Sequence, residues 1–240
     1  MTTPSDNTPI KIISDAYVDA GLIKVSQQLN SEQISRGMRY LTDVVNFEQT
    51  QGLKLWLLTD LSITLVSGTG TYKLGPTASG GTVDMTKPLR VIEAYYLFAN
   101  GTRQPLVPLS WDDYIKLSQV NEAGAVNSYF VNKQQLTLDV FFWLIPDDTA
   151  AEGTGHVIIQ QQVTNPISVT ETMNFPIEWR LFLRWALADD LAVGQPEAIT
   201  SRCTANAERY RAALENWDVE DAPTQFTPDP RAAFVGGSFL

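Results

Sequence analysis

The side chains best suited to chemistry in this chain are few and scattered. Its one histidine, His156, and its one cysteine, Cys203, fall in different segments. No Cys–His pair is therefore spelled out, nor a metal site of clustered imidazoles and thiolates. His156 opens a strand-like run with no nucleophile elbow beside it and reads as structural. Cys203 lies on the apolar stripe of a late helix and reads as core packing, and a single cysteine rules out an internal disulfide. Three adjacent acidic pairs remain: Asp112–Asp113, Asp147–Asp148 and Asp189–Asp190. General acid–base work needs two carboxylates facing one substrate, whereas neighbours on a helix point about 100° apart. Asp112–Asp113 fits charge compensation at a helix start, and Asp147–Asp148 fits a turn. A glycosidase-like pair built from distant carboxylates stays open as the alternative. The glycine runs Gly68–Thr69–Gly70 and Ser79–Gly80–Gly81 are not followed by the Lys and Ser/Thr of a phosphate cradle, so they read as turns. No catalytic, cofactor-binding or metal-ligating residue is assigned.

Charge narrows the classes further. The formal net charge of −10 opposes direct nucleic-acid binding, which needs Lys and Arg to displace counterions from phosphates. The first residues, MTTPSDNTP, lack the basic and apolar regions of a signal peptide, and no stretch reaches the length of a membrane span. The expectation is a soluble protein used without export.

The element on which the chain centres is Phe175–Val193, FPIEWRLFLRWALADDLAV. Pro176 suits a first helical turn, Glu178 suits its dipole, and Gly194 suits the stop. The segment is apolar on nearly every face, which predicts a central core helix rather than a surface one. Arg180 and Arg184, one turn apart, interrupt it. Asp189 and Asp190 sit in the last turn, where the dipole disfavours a carboxylate by ~0.3–1 kcal/mol each. A basic partner from the next segment or from another subunit would offset this; simple solvation is the alternative.

Other elements follow from period and punctuation. Residues 1–8 read as an arm. Ile10, Ile13 and Tyr17 predict a short helix capped at Asn7 or Thr8 and stopped by Gly21. Ile34, Met38, Leu41 and Val45 predict a longer one capped by Asn30 or Ser31. From Leu61 the period becomes that of strands. Leu61–Val66 and Thr71–Leu74 predict a hairpin across Ser67–Gly70. Leu89–Phe98 and Arg103–Val107 predict one across Asn100–Gly101, and Ser128–Val131 and Leu136–Leu144 one across Asn132–Lys133. Residues 75–81 read as loop. Ser110 caps a brief helix, Trp111–Leu117, and His156–Val163 reads as a final strand. Ile199, Cys203, Tyr210, Leu214 and Trp217 mark one face of a last helix. The sequence thus predicts an α+β fold: an antiparallel helical bundle with an inserted antiparallel β module and an extended C-terminal tail. The divisions are 1–60 (arm and helices), 61–172 (β module of about six to eight strands), 173–218 (helices completing the bundle) and 219–240. The tail ends apolar, with Phe234, Val235, Phe239 and Leu240, as a segment that docks on a partner would.

In order and spacing, these pieces resemble the head-to-tail adaptors of short-tailed bacteriophages, also called tail accessory or packaged-DNA stabilisation proteins. The resemblance rests on LKLWLLTDLSITLVSGTGTYKLGPTASGG (53–81), KPLRVIEAYY (87–96), PLVPLSWDDYIKL (105–117), LTLDVFFWLIPDD (136–148) and NFPIEWRLFLRWALADDLA (174–192). Lys87–Pro88 stands where the family usually has Arg-Pro. What the resemblance implies is a virion protein, made in the host cytoplasm, that forms a homo-oligomeric ring of about twelve copies beneath the portal protein. The β module would receive the tail nozzle and tail fibre proteins. The tail would dock on the portal through Phe226, Pro230, Arg231, Phe234, Val235, Phe239 and Leu240, and Arg180, Arg184, Asp189 and Asp190 would serve inter-subunit contacts. Twelve copies would carry about −120 in formal charge, and an acidic lumen lets DNA pass without specific binding. No cofactor, no membrane and no enzymatic role is implied. The runner-up is a virion-associated cell-wall hydrolase using paired carboxylates.

Overall fold

A computed structural model describes residues 7–51, 57–163, 168–173 and 175–217. Its helices are α1 (Pro9–Asp19), α2 (Ser31–Glu48), α3 (Trp111–Ile115), α4 (Trp179–Leu191) and α5 (Glu197–Trp217). Its strands are β1 (Leu58–Thr64), β2 (Thr71–Gly75), β3 (Val83–Asp84), β4 (Arg90–Leu97), β5 (Arg103–Pro105) and β6 (Val107–Leu109). They continue with β7 (Ala123–Gly124), β8 (Ser128–Lys133), β9 (Leu138–Trp143), β10 (Ile145–Pro146) and β11 (Thr154–Gln160). The fold is α+β. The residues named for portal docking, Phe226 to Leu240, lie outside the described residues, as does the start of the N-terminal arm.

Local chemistry accounts for the helix ends. Pro9 occupies the first turn of α1, where a missing N–H costs nothing, and Gly21 (φ 70°) follows its end. The side chains that α1 buries are Ile12, Ile13, Ala16 and Tyr17, while Ile10 is only half-buried. At α2, Asn30 forms a capping box: Gln33 N–H donates to Asn30 Oδ1 (2.8 Å) and Asn30 N–H to Gln33 Oε1 (2.9 Å). Helix α4 begins at Trp179, later than the apolar run suggests, because residues 177 and 178 form a turn. Its inward face is Trp179, Phe182, Leu183, Leu187, Ala188 and Leu191, and it packs against α1, α2 and α5. Fully burying a side chain such as Leu183 or Leu187 contributes ~1.5–3 kcal/mol. The opposite face is not core: Leu181 is exposed, as is Ile177 just before the helix. Cys203, fully buried, closes this helical core from α5.

The β module holds a second core between two sheets. One has the order β1-β11-β4-β5, the other β3-β2-β9-β8-β6, and β7 pairs with β10 apart from both. Tyr72, Leu74, Leu138, Val140 and Phe142 from one sheet meet Ile63, Ala94, Tyr96, Val157 and Ile159 from the other. The number of strands exceeds expectation by β3, β7 and β10, each two residues long. Nor is the module wholly antiparallel, since β2–β3, β6–β8 and β7–β10 run parallel.

Two hairpins form as the sequence predicts. β4 and β5 pair across Asn100–Gly101, with Gly101 at φ 84°. β8 and β9 also pair, although β8 runs through Asn132–Lys133 and the turn falls at residues 134–137. The first predicted hairpin is wrong. β1 pairs with β11 and β2 with β9, so the residues between them cross from one sheet to the other. Ile63 and Leu65 face the shared core from one side and Tyr72 and Leu74 from the other. Strand pattern and turn residues are the same for a hairpin as for such an arch; only the facing sheet distinguishes them.

Hydrogen bonds around Gln49 join the β module to the helices. Val163 N–H donates to Gln49 Oε1 (2.8 Å), Gln160 Nε2 to the Gln49 carbonyl (3.3 Å) and Arg90 Nη2 to the Thr50 carbonyl (3.1 Å).

Candidate functional site

Two polar constellations stand out, one in each body. In the helical body, α1 presents Asp15 and Asp19 one turn apart, and α4 presents Arg180 and Arg184 at the same spacing. Packing α1 on α4 brings the two rows together. Arg180 Nη2 lies 3.3 Å from Asp15 Oδ2. Arg184 grips Asp19 with two prongs, Nη2 to Oδ1 at 2.8 Å and Nε to Oδ2. The Asp19 hydrogen bond raises the Arg184 pKa against the opposing pull of burial. Both arginines thus find acidic partners inside the chain.

The acidic end of α4 is handled differently from expectation. Asp189 receives the Thr204 hydroxyl (2.6 Å) from α5, so the next segment supplies a neutral donor rather than a cation. The nearby Arg211 pairs instead with the buried Glu48 of α2. Asp190 has no ion-pair partner among the described residues. Partial burial, then the charges of Asp189 and Asp43, push its carboxyl above the usual range. Asp43, Asp189, Asp190 and Glu208 edge an open groove of about 450 Å³ between α2, α4 and α5, with Phe47 and Phe182 along its side.

On the outer face of the four-stranded sheet, β11 places His156 between β1 and β4. Its Nδ1 lies 2.9 Å from Asp60 Oδ1, while the Tyr95 hydroxyl donates to Asp60 Oδ2 (2.5 Å). The Tyr95 ring stacks on the imidazole at 4.6 Å, and the Arg103 guanidinium lies 5.0 Å above Tyr95. Partial burial pushes the Asp60 carboxyl up, but the Tyr95 and His156 hydrogen bonds, helped by the charges of His156 and Arg103, outweigh it and hold it below the usual range. Ser62 stands opposite His156 in the β1–β11 ladder, with no hydrogen bond between their side chains. The arrangement orients an imidazole without supplying it a bound nucleophile or a pair of oxyanion donors. It links β1, β11 and β4 through their side chains. Spacing alone does not reveal these partners, since Asp60 precedes the strand predicted from Leu61.

The remaining acidic pairs fall as read. Asp113 closes a capping box with Ser110 at the start of α3, and Asp112 pairs with Lys116. Asp147 Oδ1 accepts from Ala150 N–H (2.7 Å) in a turn. Burial raises the Cys203 thiol pKa, which suits packing rather than reactivity. Among the described residues, no group of three or more His, Cys, Asp or Glu side chains is placed to hold a metal ion, and no helix is long and apolar enough to cross a membrane. No model of a known protein family matches the chain, and no curated protein does either.

Proposed function

We propose that this chain is a structural virion protein, a head-to-tail adaptor of a short-tailed bacteriophage. It forms a ring under the portal, seals the packaged DNA, lines part of the ejection channel and carries the tail nozzle and fibres. The observation that supports this most directly is the division of labour in the fold. Helices from both ends of the chain enclose one core, a β module between them encloses another, and the Gln49–Val163 hydrogen bond joins the two. Such a molecule offers one body to its neighbours and the portal and a second, separately cored body to other partners. On this reading the helices act as an antiparallel bundle packed around the ring, and residues 219–240 dock on the portal. The segments that carry the family resemblance coincide with the elements that build both bodies, β4, α3, β9 and α4 among them.

The test is mass measurement and imaging of the purified chain, alone and mixed with the portal ring of the same virus. A ring that assembles on the portal, and fails to do so when residues 219–240 are deleted, is the expected result. A full-length chain that stays unbound beside an intact portal overturns the reading. The second reading, a cell-wall hydrolase using paired carboxylates, draws on Asp190, whose raised carboxyl stands near Asp43 and Asp189. It predicts release of peptidoglycan fragments that Asp190→Asn abolishes. The adaptor reading is preferred because it draws on both bodies of the fold, whereas the hydrolase reading rests on Asp190 and Asp43 in one open groove, Asp189 being engaged by Thr204.

A further inference from the structure

The outer edges of the two principal sheets are not treated alike. β5 is three residues long and ends in Pro105; β6 is three residues with Pro108 at its centre; β3 has two residues. Short length and proline are standard means of stopping an edge from recruiting another strand. β1, the remaining edge, has seven residues, Leu-Thr-Asp-Leu-Ser-Ile-Thr, with no proline, lysine or arginine. All seven pair with β11 on one side, in unbroken register from Leu58↔Gln160 to Thr64↔Thr154. On the other side, none makes a backbone hydrogen bond to any described residue. Half the strand's amides and carbonyls therefore face outward without a backbone partner among the described residues.

Beside this edge runs an open groove of about 430 Å³, where the four-stranded sheet ends at β1 and the five-stranded sheet at β2 and β3. Ile63 and Tyr72, both buried, form its floor, and Val66, 55% exposed, stands at its mouth. No charged residue lines it, and the side chains of Ser62 and Thr64, alternating with the inward Ile63, turn to the outer face of the sheet. A strand added to β1 would send alternate side chains over this groove.

We propose that the β1 edge is a strand-addition site, taking an extended, uncharged segment of a partner polypeptide with β-branched residues at its inward positions. A row of N–H and C=O groups without a partner among the described residues is matched by another strand, and a groove floored by Ile63 and Tyr72, with Val66 at its mouth and no charged residue in its lining, favours apolar β-branched side chains at the inward positions, with polar ones such as threonine between them. That the partner is a tail protein rests on the adaptor reading; the site itself does not.

The experiment is hydrogen exchange on the full chain, read at the β1 amides, with and without a short capped peptide of alternating threonine and valine, and separately with the tail proteins of the same virus. The expected result with the peptide is protection of alternate β1 amides by about tenfold or more. Thr64→Lys and Val66→Lys, both at exposed positions, should remove that protection while leaving exchange in α4 unchanged. A peptide carrying N-methyl groups on its edge-facing amides should give none. Unprotected β1 amides at saturating peptide, or protection that survives both lysines, overturns the proposal. Protection by the peptide with no ring on the portal would defeat the adaptor reading alone. A ring on the portal with β1 amides still unprotected by peptide and tail proteins would defeat the strand-addition site alone.

Discussion

Deleting the Asp19 carboxylate should cost the helical body more than deleting that of Asp15, one turn earlier on the same helix. The Asp19 side chain is 12% exposed and its partner Arg184 31% exposed, whereas Asp15 and Arg180 are 41% and 33% exposed. Breaking a fully buried pair by removing one member costs about 3–5 kcal/mol, and an exposed pair ~0.2–1 kcal/mol. The Asp19–Arg184 pair lies between these limits. Asp19→Ala should therefore destabilise by about 2 kcal/mol, and Asp15→Ala by less than about 1 kcal/mol. Much of the cost is a guanidinium left half-buried without its fork of acceptors, so Arg184→Ala should cost less in the Asp19→Ala background than alone. A double-mutant cycle should return a coupling of about 1–2 kcal/mol. The assay is urea unfolding followed through the fluorescence of Trp179 and Trp185, which report the helical core, with m unchanged as the check that the same transition is compared. Equal costs for Asp15→Ala and Asp19→Ala, or a coupling near zero, would refute the reasoning from burial and geometry.

Two further changes test the packing and the groove. A Cβ on Gly37 of α2 would stand 2.4 Å from Ile13 Cγ2, so Gly37→Ala should force α1 and α2 apart and cost ~1–3 kcal/mol despite the better helix propensity of alanine, as thermal unfolding will show. For Asp190 the sign is opposite to that of a paired carboxylate. Its folded-state pKa is raised, so the native chain holds a proton where the unfolded chain does not, and stability falls as pH rises from the ordinary carboxylate range through the raised value. Asp190→Asn should stabilise by roughly 0.3–1 kcal/mol at neutral pH, and the gain should vanish in acid; urea midpoints at the two pH values decide it.

What could be read from the chain alone was what the chain specifies over a few residues. The Asn30 cap, Gly21 after α1, the Ser110 cap and the Asn100–Gly101 turn each act through neighbours within about one helical turn or one hairpin. The apolar stripe of α2 likewise named its inward face, whereas α4, apolar on nearly every side, did not announce that Leu181 would stand exposed. Tertiary structure decided everything that depends on which element lies beside which. The period of two in Leu61–Val66 says that one face is buried but not that β11, nearly a hundred residues on, is its neighbour; hence the misread hairpin, the unnoticed Asp60–His156–Tyr95 cluster and the open edge of β1. Arg180 and Arg184 showed the same limit. Their spacing announced a row of cations, and only the docking of α1 on α4 supplied the matching row of carboxylates from within the chain. Local geometry is set by bonded chemistry and short-range contacts, whereas partners across the fold are chosen by the burial of whole faces at once, which no short window of sequence contains.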